Sequence, residues 1–351
     1  MREYDFLFLQ NAPAFYKINL FNALSTNYRI GVIFLGESDQ VVMNKASMQW
    51  NFDTYCLNKN NLDRSNIIDI LSNSWKVWKL VRSVKYRYII YGGWTNAEFI
   101  IMMFLASRKQ NCVISESSMY ESVTTGVKGF MKKLILNRNS HAFVSGVPHK
   151  ALLLQLKFRG SIHITGGVGL ALHDYKLKQD ALSQEKHSLR YVYTGRIIEL
   201  KNLELLIKAF NENGKPLTII GTGSKEAEYK ALAKSNITFL GFIDNKKLKD
   251  IYVNCDCFIL PSSSEVWGLV VEEALYNGLP VIVSDMVGCN IDMVKNYSSG
   301  VIFNHKSIDS LQDAIDKMER DYHYYKNNVM DIDWEKRDRE QIEAFTNILQ
   351  V

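Results

Sequence analysis

Short apolar runs alternate with helical stretches along the chain, and this alternation constrains the fold more than any other feature. In the first half, apolar runs of strand length lie at 4–9, 29–35, 88–91, 113–115, 143–145 and 162–165. Apolar residues at helical spacing predict helices between them at 18–24, 67–84, 95–107, 127–137 and 147–156. This order of elements predicts a parallel sheet with helices on both faces.

The pattern restarts after a Gly-rich, charged connection at 166–187. The second series of predicted strands lies at 191–194, 217–220, 237–239, 258–260, 281–284 and 301–303. A chain of 351 residues is long enough to bury two separate cores. We therefore predict an α/β protein with two doubly wound, Rossmann-like domains, one at 1–170 and one at 171–333.

Composition narrows the class of protein. With 47% hydrophobic and 23% charged residues, the chain has the balance of a soluble globular protein. The most apolar later segment, 99–106, is far shorter than the roughly 20 residues of a membrane span. The N-terminal run MREYDFLFLQN has acids among its apolar residues, which is atypical of a signal peptide. We expect a cytoplasmic protein.

Cysteine and histidine usage predicts neither disulfides nor a metal site. The five cysteines are odd in number and lack the paired spacing of metal ligands, which favours reduced thiols: Cys56, Cys112, Cys255, Cys257 and Cys289. The seven histidines are scattered along the chain. We therefore expect no metal and no cofactor.

The run FILPSSSEVWGLVVEEALYNGLP, at 258–280, carries the clearest chemical signal. It reads as a strand, a Ser-rich turn and a helix, and the N-terminus of such a helix favours phosphate or sugar oxygens. Two carboxylates, Glu265 and Glu273, have seven residues between them. Because carboxylates accept hydrogen bonds from sugar and ribose hydroxyls, this pair can hold a nucleotide-sugar. The alternative is an exposed loop acid and an ordinary helix-surface Glu.

This run resembles the C-terminal half of retaining glycosyltransferases of family 4, which have the GT-B fold. The family pattern "PSxxE-aromatic-G-L-V-x-x-E-A-hydrophobic-x-x-G-x-P-V" is matched at twelve positions. These are Pro261, Ser262, Glu265, Trp267, Gly268, Leu269, Val270, Glu273, Ala274, Gly278, Pro280 and Val281. The resemblance implies two domains facing across a cleft, with the amphipathic stretch at 334–351 packing back on the first domain.

The resemblance also implies a donor site in the second half. Arg196 and Lys201 match the family's "G-R-x-x-x-x-K" element, whose cations bind the donor diphosphate, although a solvated helix start is the alternative. Together with Glu265 they are our expected catalytic residues. Glu265 would contact sugar hydroxyls and Glu273 would bind ribose. The full expected donor-binding set is Gly195, Gly221, Gly223, Phe242, Ile243, Val266, Trp267, Gly268, Leu269 and Glu273.

Two of these assignments have a structural alternative, and the first half departs from the family. Gly221 and Gly223 could belong to any tight strand-to-helix turn, and Phe242 could be a core aromatic. Ligands of doubly wound sheets sit beyond the strand ends, which here carry Asn11, Gly92, Gly93 and Glu116. We expect these four to face the acceptor. Glu116 stands where relatives have His, and a solvent-facing or capping acid is the alternative.

Charge is unevenly distributed between the two halves. Residues 1–170 contain 20 Lys and Arg against 10 Asp and Glu, whereas residues 171–351 contain 22 against 27, giving +10 and −5. Two stretches mix Lys or Arg with large apolar residues, at 75–87 and 128–138. Such helices can lie on an anionic membrane, and a solvated helix face is the alternative. We expect peripheral membrane contact and no nucleic acid.

These observations lead to one main hypothesis and two alternatives. The main one is a metal-independent, retaining hexosyltransferase that moves a hexose or N-acetylhexosamine from a nucleotide-sugar, most simply a UDP-sugar. The acceptor would be a saccharide or lipid-linked saccharide in cell-surface polysaccharide synthesis. The alternatives are a UDP-sugar epimerase of GT-B fold and a nucleotide-sugar-binding protein without turnover. The epimerase would need a catalytic acid/base set that the sequence does not show. The presence of Arg196, Lys201, Glu265 and Glu273 argues against a protein without turnover.

Overall fold

The structure is a computed structural model that describes residues 1–36, 49–57, 66–170 and 188–350. The chain divides into two compact units. Unit 1 comprises Met1–Leu170 together with Glu335–Val351, and unit 2 comprises Ala171–Trp334. Most of the predicted Gly-rich connection, from 171 to 187, lies outside the described residues.

Unit 1 is built on a parallel sheet that has seven strands in the part of the chain described. The strands are β1 (Glu3–Gln10), β2 (Ile30–Phe34), β3 (Asp53–Cys56), β4 (Lys85–Tyr91), β5 (Asn111–Ser115), β6 (His141–Val144) and β7 (Ser161–Ile164). Their order across the sheet is β3-β2-β1-β4-β5-β6-β7, and all neighbouring strands run parallel. The predicted parallel sheet is confirmed.

Strand β3 was missed by the sequence analysis. Its sequence, DTYC, has no apolar run, and three of its four residues are exposed. The strand lies at the edge of the sheet, paired with β2 alone, so that its faces are less covered than those of the central strands. Apolar periodicity reports burial, and it therefore fails for such a strand.

Helices cover both faces of the first sheet. They are α1 (Phe15–Ser25), α2 (Ile67–Arg82), α3 (Ala97–Leu105), α4 (Gly126–Leu136) and α5 (Val147–Gln155). Leu7 and Phe8 of β1 belong to different core clusters, because successive side chains of a strand point to opposite faces. The cluster of Leu7 includes side chains of α2, α3, α4 and α5, whereas that of Phe8 includes side chains of α1.

Unit 2 repeats the architecture. Its strands are β8 (Tyr191–Thr194), β9 (Leu217–Ile220), β10 (Ile237–Gly241), β11 (Cys257–Leu260), β12 (Val281–Ser284) and β13 (Gly300–Phe303), in the order β10-β9-β8-β11-β12-β13. Its helices are α6 (Leu203–Asn213), α7 (Glu226–Leu232), α8 (Asn245–Tyr252), α9 (Leu269–Tyr276), α10 (Ile308–Arg320) and α11 (Tyr322–Met330). The six strands predicted for the second half are all present.

The C-terminal helix α12 (Trp334–Thr346) and the short 3-10 turn Asn347–Leu349 complete unit 1. Phe345 stacks on Phe143 with ring centroids 4.3 Å apart. The carbonyl of Leu349 accepts a hydrogen bond from Arg87 at 2.8 Å, and that of Ile348 accepts one from Tyr88 at 3.1 Å. The end of the chain is therefore fixed against the first sheet by stacking and by hydrogen bonds.

In each sheet the strand order reverses between two central neighbours, β1 and β4 in unit 1 and β8 and β11 in unit 2. The loops that follow such a pair diverge to opposite faces and leave a crevice at the carboxyl edge. The candidate site residues lie in these loops, in the loops that follow β5, β9 and β10, or in α9. Among the described residues, no helix combines the length and apolarity needed to cross a bilayer.

Candidate active site

The donor loop, which we define as Glu265–Gly268, follows β11 and leads into α9. It runs alongside the segment 286–289, held by three backbone hydrogen bonds. The amide of Glu265 donates to the carbonyl of Met286 at 3.2 Å, and the amides of Gly288 and Cys289 donate to the carbonyls of Glu265 and Trp267, each at 2.9 Å. Gly268 has φ 99°, a left-handed conformation that glycine adopts without strain. The loop is therefore held in place by contacts within unit 2.

Lys201 and Glu265 form an ion pair between the segments that follow β8 and β11, the two strands at which the strand order reverses. Their side chains are only 13% and 19% exposed. The backbone supports the pair, because the amide of Ser263 donates to the carbonyl of Leu200 at 2.9 Å. The sequence analysis assigned the two residues to the same ligand without foreseeing their contact, and the burial of Glu265 excludes the alternative of an exposed loop acid.

Arg196 is exposed and lies one residue beyond Gly195. Its backbone carbonyl accepts a hydrogen bond of 2.9 Å from the hydroxyl of Tyr193, a buried residue of β8. Burial raises the pKa of that hydroxyl; the negative charge of Glu265 raises it further, and the positive charge of Arg196 lowers it. Arg196 and Glu265 therefore both lie close enough to Tyr193 to act on one group.

The glycines expected to line the site join three strand ends. The amide of Gly195 donates to the carbonyl of Ile220 at 3.0 Å, and the amide of Gly221 donates to that of Gly241 at 2.7 Å. A side chain at Gly221 would place its Cβ 1.9 Å from the carbonyl oxygen of Gly195. This close approach requires glycine, so Gly221 is fixed by packing as well as by any ligand.

Two residues that we expect to contact the donor, Phe242 and Ile243, follow β10. Phe242 is 76% exposed, which excludes the alternative of a core aromatic. Ile243 beside it is partly buried, and Gly223 approaches the carbonyl of Ile197. A ring held in solvent beside the glycine turns is available to a planar ligand.

Glu273 is the fifth residue of α9 and is partly buried. Burial and, secondly, the charge of Glu272 raise its pKa to about 7. Burial raises the pKa of Tyr252, and the charge of Glu273 raises it further. The Tyr252 hydroxyl donates a hydrogen bond of 3.1 Å to Oγ1 of Thr194 at the end of β8. Glu273 is therefore not an ordinary helix-surface acid.

The sequence analysis missed Glu272. This carboxylate is 2% exposed and accepts a hydrogen bond of 2.7 Å from the indole nitrogen of Trp267. The sequence signal for this hydrogen bond was Trp267, an aromatic residue with a polar N–H, just before the helix, together with an acid at the fourth position of the helix. Val266, before Trp267, is exposed, and Leu269, after Gly268, is partly buried.

The carboxyl edge of the sheet in unit 1 brings the expected acceptor-facing residues onto neighbouring strand ends. Asn11 follows β1 and accepts a hydrogen bond from Asn96. Gly92 and Gly93 follow β4, where a Cβ at Gly92 would meet the amide oxygen of Gln10 at 2.2 Å.

Glu116 follows β5 and is paired with Lys17, with Nζ and Oε1 2.6 Å apart. Lys17 was also missed by the sequence analysis. It is 7% exposed and lies in the first turn of α1, where the helix dipole disfavours a cation. The pair excludes a solvated, partnerless Glu116. The usable signal was a lone basic residue in the apolar helix FYKINLFNALS.

In the described part of the chain, no group of three or more His, Cys, Asp or Glu is placed to hold a metal ion.

Comparison with known proteins relates unit 2 to a protein family. Residues 175–332 match the family model described as "Glycosyl transferases group 1". Over these residues, which form most of unit 2, the chain is similar to the group 1 glycosyltransferases. An uncharacterized glycosyltransferase of Methanocaldococcus jannaschii is 29% identical over 157 residues, covering 41% of this chain and 40% of that protein. A capsular polysaccharide biosynthesis glycosyltransferase of Staphylococcus aureus is 27% identical over 198 residues, covering 51% and 52%.

Solved structures share the fold over nearly the whole length of the chain. Sucrose-phosphate synthase from Thermosynechococcus elongatus superposes with a TM-score of 0.74 at 18% identity, covering 99% of each chain. HepE from Anabaena, in complex with UDP, gives 0.71 at 15% identity, covering 100% of this chain and 98% of that one. The GT-B fold class is confirmed. By sequence, the chain spans about two fifths to one half of the two curated relatives named above.

Proposed function

We propose that this protein is a glycosyltransferase that moves a hexose or N-acetylhexosamine from a UDP-sugar to a saccharide or lipid-linked saccharide acceptor in cell-surface polysaccharide synthesis. The reaction would retain the anomeric configuration and need no metal. Support for the donor comes from HepE, whose structure holds UDP in the same fold. Support for the setting comes from the capsular relative.

The observation that carries the proposal is the partly buried pair of Lys201 and Glu265 beside the donor loop. When a sugar leaves a nucleoside diphosphate, negative charge grows on the phosphate oxygen that takes the electron pair. An ammonium held next to that oxygen stabilises the transition state more than the ground state. Glu265 keeps Lys201 in place until the diphosphate supplies a second anion, and Glu265 then turns to the sugar hydroxyls.

The proposed transfer needs no nucleophile from the protein. The acceptor oxygen bonds to the anomeric carbon on the face from which the diphosphate leaves. The bond from that carbon to the phosphate oxygen breaks, and the hydroxyl proton passes to the same oxygen. Glu273 is the fifth residue of α9, which follows the donor loop, and we assign it to the ribose hydroxyls.

The test is a thermal-stability screen with nucleotide-sugars, followed by transfer assays with the donor that stabilises the protein. A ligand that binds the folded state raises its apparent stability by mass action. We expect UDP-sugars to stabilise the wild type and Lys201→Met to lose transfer. NMR of the product should show the anomeric configuration of the donor, with full activity in a chelator. Stabilisation by no nucleotide-sugar refutes the proposal, and conversion of the sugar without an acceptor assigns an epimerase.

We also propose that unit 1 contacts an anionic membrane through an apolar-basic surface on α2 and α4. Its exposed apolar side chains are Ile67, Ile68, Leu71 and Trp75 on α2 and Val127, Phe130, Met131 and Leu134 on α4. Its cations include Lys79, whose Nζ lies 3.5 Å from the Trp75 ring centroid, and Lys128, Lys132 and Lys133. Both helices contribute to the same core cluster, so they cover the same face of the sheet.

Solvation alone does not account for this surface, because a solvated helix face carries few large apolar residues. Apolar side chains among cations instead match a bilayer of anionic lipids, which attracts the basic half of the chain electrostatically. The test is flotation with vesicles of phosphatidylcholine and phosphatidylglycerol. We expect binding at low salt that Phe130→Ser weakens, while Val253→Ser, which removes an exposed apolar residue of unit 2, does not. No flotation of the wild type at low salt refutes the contact.

A further inference from the structure

Trp267 and Glu272 form a buried hydrogen bond that the proposed chemistry does not use. Both residues are 2% exposed, and the indole Nε1 donates to Oε1 of Glu272 at 2.7 Å. A buried carboxylate costs free energy unless it is hydrogen-bonded, and here a second acid, Glu273, is its neighbour in the chain. A sequence that breaks the usual rules of helix packing at one position does so most often at a functional site.

The bond links two positions that define how a chain enters a helix. Gly268 caps α9, so Trp267 precedes the cap and Glu272 is the fourth residue of the helix. In many helices, apolar residues at these two positions pack together and fix the entry angle. Here the Trp267–Glu272 hydrogen bond replaces that apolar contact. The negative charge of Glu272 is also favoured in the first turn, because the helix dipole is positive at the N-terminus.

The indole fixes more than its own position. The carbonyl of Trp267 accepts the amide of Cys289 at 2.9 Å, and two residues earlier Glu265 pairs with Lys201. The donor loop is thus held at its start by the ion pair and at its end by the indole. A shift of α9 relative to this loop would change the distance between Glu265 and Glu273, which our proposed function assigns to the two ends of one ligand.

We propose that Glu272 and Trp267 are positioning residues that hold the donor loop and α9 in the geometry that binds the nucleotide-sugar. The inference rests on the proposed function of the same site. Removing the indole N–H leaves a buried carboxylate without that donor and should free the loop. Replacing Glu272 by Gln keeps an oxygen that accepts the bond but removes the charge next to Glu273.

The two substitutions differ in their effect on Glu273, and a merely structural role of Glu272 would not change the pH at which Glu273 ionises. Glu272 contributes to raising the pKa of Glu273, after burial. In Glu272→Gln the loop should stay in place, while the pH at which Glu273 loses its charge should fall. The two variants therefore separate the bond from the charge.

The experiment compares wild type, Trp267→Phe and Glu272→Gln, with Glu204→Gln as the matched control. Glu204 is exposed and pairs with Lys208. Amide hydrogen exchange is measured on peptides covering 265–268 and 286–289, and UDP affinity is measured from pH 6 to 8. We expect Trp267→Phe to speed exchange and to weaken UDP binding, each at least tenfold at pH 8. Glu272→Gln should keep exchange slow and should lower the pH at which affinity declines.

The titration of UDP itself is common to all proteins and cancels in the ratio to wild type. Unchanged exchange in Trp267→Phe overturns the inference, because the bond then does not hold the loop. Faster exchange with unchanged UDP affinity also overturns it, because the loop geometry then has no role in binding. If the wild type binds no UDP at any pH, the proposed function is refuted instead. The comparison of amide hydrogen exchange then still shows whether the Trp267–Glu272 bond orders the loop.

Discussion

The raised pKa of Glu273 predicts a pH dependence that one substitution should abolish. The shift from 4.5 to about 7 is 2.5 pH units. At about 1.4 kcal/mol per unit, the ionised carboxylate costs the folded state up to ~3 kcal/mol. This is an upper limit, because Glu273 is only partly buried. The stabilisation that comes from the raised pKa of Glu273 is fully present below pH 4.5, where the carboxyl is protonated in the folded and the unfolded protein. It is lost as pH rises through about 7.

Glu273→Gln removes the titrating group and keeps the shape of the side chain. Near pH 5 the variant and the wild type should have similar melting temperatures. At pH 8 the variant should melt higher, by up to ~6 to 12 °C for a unit of this size, if about 1 kcal/mol corresponds to 2–4 °C. The assay is thermal unfolding of both proteins between pH 5 and 8, and the difference between them isolates Glu273 from all other groups.

Donor binding should show the opposite trend. If the ionised form accepts the ribose hydroxyls, the affinity of the wild type for UDP, relative to the variant, should fall about tenfold for each pH unit below 7. The variant should bind more weakly at pH 8. The reasoning is refuted if both proteins show the same dependence of melting temperature on pH, since Glu273 then titrates in the same range folded and unfolded.

Three further predictions follow from the geometry. Lys201→Met and Glu265→Gln should each destabilise unit 2 by about 1–3 kcal/mol, and the double variant by less than their sum, as a double-mutant cycle would show. Gly221→Ala should lower the melting temperature far more than Gly214→Ala, because a Cβ at Gly221 meets a carbonyl oxygen at 1.9 Å whereas Gly214 has open space, so equal effects contradict the close packing. Phe345→Ala should cost about 3–5 kcal/mol in chemical denaturation of unit 1, and a loss under 1 kcal/mol would show that α12 is not part of its core.

The sequence determined the fold class because central parallel strands are buried on both faces and therefore read as apolar runs. This signal located every described strand except β3, whose edge position leaves polar residues in place. The donor loop could also be located from sequence, because its glycine, its acids and the following helix are close together in the chain.

Only the tertiary structure decided which charges meet. Lys201 and Glu265 are 64 residues apart, and Lys17 and Glu116 are 99 residues apart, yet each forms an ion pair. Such contacts depend on the order of strands in the sheet, which local sequence patterns do not encode. Burial is likewise a property of the folded molecule, and burial is what raises the pKa of Glu273 and makes Glu272 depend on its hydrogen bond to the Trp267 indole.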